Sequence, residues 1–251
     1  MRRNIIAGNW KMYKTTQEAV QLAESLKKSI SLVQDVEVVV CPPSTSLLSV
    51  YEVIKDSPIK LGAQNIYPEK EGAYTGEISP AMIKDVGCEF VIIGHSERRK
   101  YFHETDELIN KKIKLALSIG LTPIVCVGET LEEREKGVAE DTVINQITNG
   151  LVGISQEDML KIIIAYEPVW AIGTGKTATP DVADGMHLVI RTQLSKIYSS
   201  VVSDSISILY GGSVKPDNID ILMSQENIDG ALVGGAALNS ESFSRIVQFK
   251  K

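Results

Sequence analysis

The stretch Lys161-Ile162-Ile163-Ile164-Ala165-Tyr166-Glu167-Pro168 joins an apolar run of strand length to a single glutamate. The run does not alternate with polar residues, which is typical of a parallel strand covered on both faces. Pro168 biases Glu167 toward an extended conformation, so we predict that Glu167 lies where a buried strand ends. The following segment, with a Gly-Thr-Gly tip at Gly173–Gly175, indicates a mobile lid beside one carboxylate. An ordinary strand-to-helix loop with an exposed glutamate is the alternative interpretation.

Similar short apolar runs recur along the whole chain. Most are rich in Val and Ile and lack alternation, as expected for buried parallel strands. The eight predicted strands are Ile5–Asn9, Val36–Cys41, Ile59–Gln64, Phe90–Gly94, Pro123–Val127, Ile162–Tyr166, Ile206–Tyr210 and Gly230–Val233.

Helical patterns lie between these runs, and prolines near the first helical turn mark several starts. The clearest predicted helices are Gln17–Leu32, Thr105–Ser118, Pro180–Tyr198, Asp217–Met223 and Ser240–Phe249. Eight strands alternating with helices, at roughly thirty residues a unit, match the length of a (β/α)₈ barrel. An open doubly wound sheet is the second choice, weakened because no GxGxxG follows the first strand. We predict one α/β domain over residues 1–251.

Composition narrows the function classes. The chain has 251 residues, of which 43% are apolar and 23% charged, as in a soluble globular protein with a large core. A net charge of −6 without a basic run argues against a nucleic-acid partner. Cys41, Cys88 and Cys126 show no metal spacing, so buried reduced thiols are expected. The first residues contain no apolar stretch long enough for a signal peptide or membrane helix, which predicts a cytoplasmic enzyme without a membrane partner.

Polar residues at the predicted strand ends are the candidate active site, because barrel enzymes place their sites at the carboxyl ends of the strands. Strand one ends in Asn9 and Lys11, strand four in His95 and Glu97, and strand six in Glu167. A histidine that begins a helix is disfavoured as the imidazolium, so a neutral hydrogen-bond donor is expected at position 95. A polar loop histidine is the alternative at that position.

Glycine turns follow the last two predicted strands. Gly212-Ser213 and Gly234-Gly235 lie where many barrels bind phosphate through backbone N–H groups. Glycine allows an anion to approach the backbone closely, although each pair alone is also compatible with a plain tight turn. Two such pairs at adjacent strand ends favour a phosphate site.

These residues together resemble the triosephosphate isomerase family. The matching motifs run in order along nearly the whole chain: Gly8–Met12, Gly62–Asn65, Gly72–Ser79, Ile93–Arg99, Cys126–Glu129, Ala165–Thr177, Tyr210–Val214 and Leu232–Ala236. The resemblance implies a (β/α)₈ TIM barrel and the interconversion of dihydroxyacetone phosphate and glyceraldehyde 3-phosphate in glycolysis and gluconeogenesis. It implies no cofactor and no metal.

The resemblance also implies a role for each candidate residue. Glu167 is expected to be the base that moves the carbon-bound proton, and neutral His95 to polarise the carbonyl, a division of roles that is already well known for this family. Lys11 is expected to supply positive charge, Asn9 a polar contact, and Glu97 to orient its neighbours. The residues expected to bind phosphate through backbone N–H groups are Gly173, Ser213, Gly234 and Gly235.

The resemblance further implies a homodimer, in which Thr75 on the loop after strand three reaches the partner's Asn9, Lys11 and His95 region. Three positions depart from the family pattern: Tyr13, Ser207 and Ala237. Two other functions stay open from the sequence. One is a different phosphate-binding barrel, such as a synthase of tryptophan or histidine biosynthesis, and the other is a catalytically inactive barrel that acts as a binding protein.

Overall fold

The structure is a computed structural model that describes residues 2–172 and 178–250. In this part of the chain, eight parallel strands pair in sequence order and close into a barrel, because β1 pairs with both β2 and β8. The strands are β1 (Ile5–Asn9), β2 (Glu37–Cys41), β3 (Ile59–Ala63), β4 (Phe90–Ile93), β5 (Thr122–Val127), β6 (Ile163–Tyr166), β7 (Ile208–Tyr210) and β8 (Gly230–Val233). The barrel prediction is confirmed, and the open-sheet alternative is wrong.

Helices connect the strands and cover the outside of the barrel. Within the described residues they are α1 (Thr16–Ser29), α2 (Leu47–Ile54), α3 (Pro80–Asp85), α4 (Ser96–Phe102), α5 (Asp106–Ser118), α6 (Leu131–Glu135), α7 (Ala139–Gly150), α8 (Gln156–Met159), α9 (Pro180–Ile197), α10 (Ser200–Ser203), α11 (Ile219–Met223) and α12 (Ser240–Val247). Short 3₁₀ turns occupy Ser44–Ser46, Val169–Ala171 and Gly235–Leu238.

The predicted boundaries agree within three residues, and the two-residue difference at the start of α11 is informative. The predicted helix began at Asp217, directly after Pro216, but α11 begins at Ile219. Residues 216–218 form a turn instead, in which the Asn218 side chain accepts a hydrogen bond from the Lys215 N–H at 2.8 Å. The Asn218 side chain therefore closes a turn at the position where Pro216 had predicted the start of a helix.

The core has two layers, one inside the barrel and one between strands and helices. Side chains of both layers are almost fully buried, which explains why the strands read as continuous apolar runs. Cys41, Cys88 and Cys126 are buried free thiols, as predicted. None of the helices in the described ranges combines the length and apolar character needed to cross a bilayer.

Two departures from the family pattern, Ser207 and Ala237, lie at buried positions. The Ser207 hydroxyl, before β7, donates to the Arg3 carbonyl at 2.9 Å. Ala237 is fully buried, and a side chain added at Gly8 of β1 would contact its Cβ at 3.1 Å. Tyr13, in contrast, is 57% exposed on the loop after β1.

His187 on α9 gives the fold a pH-dependent stability. The ring is fully buried, its Nδ1 lies 3.2 Å from the Asn227 carbonyl, and burial lowers its pKa from 6.5 to about 3. Because only the unfolded chain takes up this proton, the stabilisation is complete above pH 6.5 and is lost as the pH falls toward 3. We therefore expect the free energy of unfolding to fall by about 2 kcal/mol between pH 6.5 and pH 5 through this residue.

Urea unfolding of wild type and His187→Gln across this pH range measures that contribution. The variant is less stable at neutral pH, and its stability should depend less steeply on pH. His103→Gln is the control, because His103 is exposed and should leave the slope unchanged. Equal slopes for wild type and His187→Gln would contradict the assignment.

Candidate active site

The predicted side chains converge at the carboxyl ends of the barrel strands. Asn9 is the last residue of β1, His95 follows β4 by two residues, and Glu167 follows β6 directly. His95 and Glu167 are in direct contact, and both are nearly inaccessible to solvent. The barrel therefore brings together groups that are more than seventy residues apart in sequence, as strand order in a closed barrel requires.

Glu167 is a buried carboxylate held on both oxygens. Its Oε1 lies 2.9 Å from Nε2 of His95, and its Oε2 accepts the backbone N–H of Ser96 at 2.8 Å. Burial by itself raises the pKa of Glu167, but the facing His95, the Ser96 N–H and Lys11 outweigh it, so the pKa is lowered. Glu167 is therefore ionised at neutral pH, as a base must be. The alternative of an exposed loop glutamate is wrong.

His95 caps the N-terminus of α4 with its ring. Nδ1 accepts the backbone N–H of Glu97 at 3.2 Å, a contact that favours the neutral ring with a lone pair on Nδ1 and the proton on Nε2. Burial by itself lowers the pKa of His95, whereas Glu167 and Glu97 raise it above the ordinary value. The helix terminus thus favours the neutral ring and the facing carboxylate opposes it, so the neutral histidine stays a prediction.

Lys11 approaches the same rim from the loop after β1. Its Nζ lies 2.6 Å from Oε1 of Glu97, whose Oε2 lies 3.6 Å from Nδ1 of His95, so the carboxylate stands between the ammonium and the imidazole. Lys11 has a backbone φ of 51°, and the Asn9 side chain accepts its N–H at 3.0 Å. Gln64 donates to the Lys11 carbonyl at 2.8 Å. A strained backbone fixed from two sides holds the cation in place.

The residues predicted to bind phosphate lie at the same rim, in the segments that follow β7 and β8. A side chain on Gly234 would stand 3.5 Å from Cε of Lys11, so the end of β8 lies beside the ammonium. Gly235 is exposed and would have open space for a side chain. The Ser213 carbonyl accepts from Asn218 at 3.0 Å, which orders the loop after β7. Gly173 lies outside the described residues.

Several groups at the site were not predicted from the sequence. Burial of the Cys126 thiol, together with the negative charge of Glu167, raises its pKa well above the ordinary value. Glu129 is fully buried, and its Oε1 accepts the Trp170 indole at 2.7 Å, Arg134 at 3.0 Å and the Tyr166 hydroxyl at 3.1 Å. The beginning of the predicted lid is therefore tied to β5. The signal in the sequence was a charged residue two positions after a buried strand.

Thr75 is exposed on the loop between β3 and α3. On this loop the Tyr67 and Tyr74 rings are in contact, with centroids 4.5 Å apart and planes tilted by 42°. Beside the site lies a cavity of about 440 Å³ whose lining includes Asn9, Lys11, His95, Glu97 and Phe102.

The described residues contain no group of three His, Cys, Asp or Glu side chains arranged to hold a metal ion. The site instead presents a carboxylate, an imidazole and an ammonium, which together can move protons and stabilise a developing negative charge.

Comparison with known proteins places this site in a family. The triosephosphate isomerase family model matches residues 4–250. The triosephosphate isomerase of Roseiflexus sp. (strain RS-1) is 56% identical over 249 residues, which cover 99% of this chain and 98% of that protein. The proteins of the same name from Chloroflexus aurantiacus and Carboxydothermus hydrogenoformans are 53% and 56% identical, over at least 99% of each chain. The chain therefore belongs to the triosephosphate isomerase family.

Proposed function

We propose that this protein interconverts dihydroxyacetone phosphate and D-glyceraldehyde 3-phosphate, as an intramolecular aldose–ketose isomerase of glycolysis and gluconeogenesis. The observation that carries the proposal is the buried contact of 2.9 Å between His95 Nε2 and Glu167 Oε1 at the barrel rim. A base beside a hydrogen-bond donor is what proton removal next to a carbonyl needs, since the base takes the carbon-bound proton while the donor stabilises the developing enediolate.

Each side chain then has one role. Glu167 removes the proton from one carbon and returns it to its neighbour. His95 donates a hydrogen bond from Nε2 to the substrate oxygens. When this hydrogen bond moves from Glu167 to the substrate, the carboxylate loses an interaction that lowers its pKa. Burial then raises the basicity of Glu167 at the moment when a base is needed. Lys11 faces the developing charge, Glu97 orients Lys11 and His95, and Asn9 makes a polar contact to substrate.

The substrate phosphate would bind at the ends of β7 and β8, where Gly234 lies beside Lys11. The backbone N–H groups of Ser213, Gly234 and Gly235, with Gly173 from the lid, supply neutral donors, and Lys11 supplies charge. Gly234 and Gly235 support this assignment, because glycine has no side chain that would keep an anion away from the backbone. The chemistry needs no cofactor or metal.

A homodimer completes the proposal. The cavity of about 440 Å³ is lined in part by the exposed apolar side chains of Met12 and Phe102, with Met12 at 93% exposure, and their sequence neighbours Tyr13 and Tyr101 are exposed as well. Such a patch marks an interaction surface, and the exposed Thr75 loop of a second copy is a suitable occupant. Residues 1–251 would form one catalytic domain per subunit, acting in the cytoplasm without nucleic-acid or membrane partners.

A coupled assay in both directions tests the function. Purified protein should convert each triose phosphate into the other, detected by a dehydrogenase specific for the product, without added metal and in the presence of a chelator. A catalytically inactive barrel would give no turnover although it binds the phosphates. A protein that binds but does not isomerise would overturn the proposal.

A further inference from the structure

Gln146 on α7 makes a two-point contact with the backbone just beyond β5. Its Oε1 accepts the N–H of Gly128 at 2.8 Å, and its Nε2 donates to the carbonyl of the same residue at 3.1 Å. A side-chain amide that satisfies both polar groups of one residue acts as a neighbouring strand does in a ladder.

Gly128 needs such a partner because the ladder has already ended on both sides. The last pair between β4 and β5 is Ile93 with Val125, and the last pair between β5 and β6 is Val127 with Tyr166. Gln146 therefore extends the ordered part of β5 by one residue, on the side of the barrel that carries the candidate site.

The position of Gly128 is coupled sterically to Glu167. A Cβ on Gly128 would overlap the Glu167 carbonyl oxygen and stand 3.2 Å from its Cα. On the other side, a Cβ on Gly211 would stand 2.9 Å from Cγ of Glu167. The Glu167 N–H donates to the Val127 carbonyl at 2.7 Å. Glu167 thus lies in a slot between two glycines, and closely packed atoms transmit small displacements.

A second connection runs through Glu129, the residue after Gly128. Its carbonyl accepts the N–H of Val169 at 3.0 Å, and its carboxylate holds the Trp170 indole. Movement of residues 128 and 129 would therefore shift both the base and the first turn of the lid.

The sequence carries a weak signal for this residue. Gln146 lies on the face of α7 that also carries the buried Val143, Ile147 and Gly150, at helical spacing. A half-buried amide on an apolar helix face needs a hydrogen-bonding partner, and the backbone of Gly128 supplies it.

We propose that Gln146 is a positioning residue for Glu167, which it fixes through Gly128 without contact to the substrate. This inference rests on the proposed isomerase function, in which Glu167 is the base. A displaced base lowers the rate of the chemical step far more than it changes substrate affinity.

Gln146→Met tests the proposal, since methionine retains the length of the side chain and removes both hydrogen bonds. We expect kcat to fall about tenfold or more, because a displacement of about 1 Å at a reacting group can cost up to about 10²-fold. KM should change less than about twofold. Gln146→Glu keeps the acceptor for the Gly128 N–H and loses the donor, so its kcat should lie between those of wild type and Gln146→Met. This second variant also tests the proposal if Gln146→Met does not fold.

Asn110→Leu is the matched control. The Asn110 side-chain amide donates to the carbonyls of Gly150 and Val152, at 2.8 and 3.0 Å, at and just beyond the C-terminal end of α7. This variant should lower Tm as Gln146→Met does and keep the wild-type kcat. Equal losses of kcat in both variants, or an unchanged kcat in Gln146→Met, would overturn the positioning role.

An NMR measurement separates this inference from the proposed function. The Nε2 proton of His95 reports its contact with Glu167 whether or not the protein is an active isomerase. Its resonance should shift in Gln146→Met and stay in place in Asn110→Leu. An inactive wild type with this shift would overturn the isomerase proposal alone, and an unchanged resonance would overturn the role of Gln146.

Discussion

Glu167→Gln is expected to reduce kcat by about 10² to 10⁴-fold, the usual contribution of a positioned general base. An amide of the same shape cannot accept a carbon-bound proton. It also has a single acceptor where the carboxylate takes hydrogen bonds from both His95 and Ser96. One of these buried donors therefore loses its partner, and we expect the variant to be destabilised by about 1–3 kcal/mol.

The measurement is kcat by coupled assay, together with the affinity for glycerol 3-phosphate, which has the phosphate but no carbonyl. That affinity should stay close to wild type, because the phosphate residues lie on other strands. Glu89→Gln is the matched control: this exposed glutamate pairs with Lys60 at 3.0 Å and should keep full activity. Retention of more than about a tenth of the wild-type kcat in Glu167→Gln would refute the base assignment.

Glu167→Asp separates the base from the general integrity of the site. The carboxylate remains but withdraws by one methylene group, so the two hydrogen bonds cannot both be kept at their present lengths. A displacement of this size is expected to cost up to about 10²-fold in kcat, and less than the loss of the carboxylate costs. If the aspartate variant were as impaired as the glutamine variant, position rather than proton acceptance would decide the rate.

The barrel was predictable because parallel strands buried on both faces leave an unambiguous pattern. Ile163 and Ile164 of β6, like Val39 and Val40 of β2, are all buried, so neither face of the strand shows polar residues. The ends of elements were harder to place. At α11, Asn218 closes a turn through its side chain, and that interaction competes with the helix start expected from Pro216.

The candidate residues themselves were also accessible from sequence, because strand ends in a barrel share one rim. The protonation state of His95 could not be predicted from the sequence, because it depends on contact with Glu167, which is seventy-two positions away. The contacts of Ser96, Cys126 and Gln146 were equally hidden. They use a backbone N–H, a thiol and an amide, which carry no motif and acquire their partners only when the barrel closes.

Of the two rival functions, family membership excludes the different phosphate-binding barrel. Family membership alone does not exclude the inactive binding protein, because an altered site can retain the fold and most of the sequence. Against it stands the geometry of the described residues: the contact between His95 and Glu167, and the ion pair between Lys11 and Glu97 at 2.6 Å, are both formed. Activity is nevertheless decided by the coupled assay.

Thr75→Arg is expected to abolish the dimer and most of the activity together. In the proposed dimer, Thr75 enters the partner's cavity of about 440 Å³, whose charged lining is Lys11, Arg98, Glu77 and Glu97. An arginine there would place a larger, charged side chain beside the ion pair of Lys11 and Glu97, in a partly desolvated space. Desolvation of a charge costs several kcal/mol where its pairing is imperfect, which would raise the dissociation constant of the dimer by about 10²-fold or more. Sedimentation velocity and kcat are followed against protein concentration.

Two controls define what this result means. Thr75→Ser keeps a small hydroxyl and should leave both association and activity intact. Thr192→Arg makes the same substitution at an exposed position of α9, away from the cavity, and should also be silent. If Thr75→Arg stayed dimeric, the loop would not enter the partner. If it became a fully active monomer, the partner would contribute nothing to the geometry of Lys11 and His95, and the site of each barrel would be complete by itself.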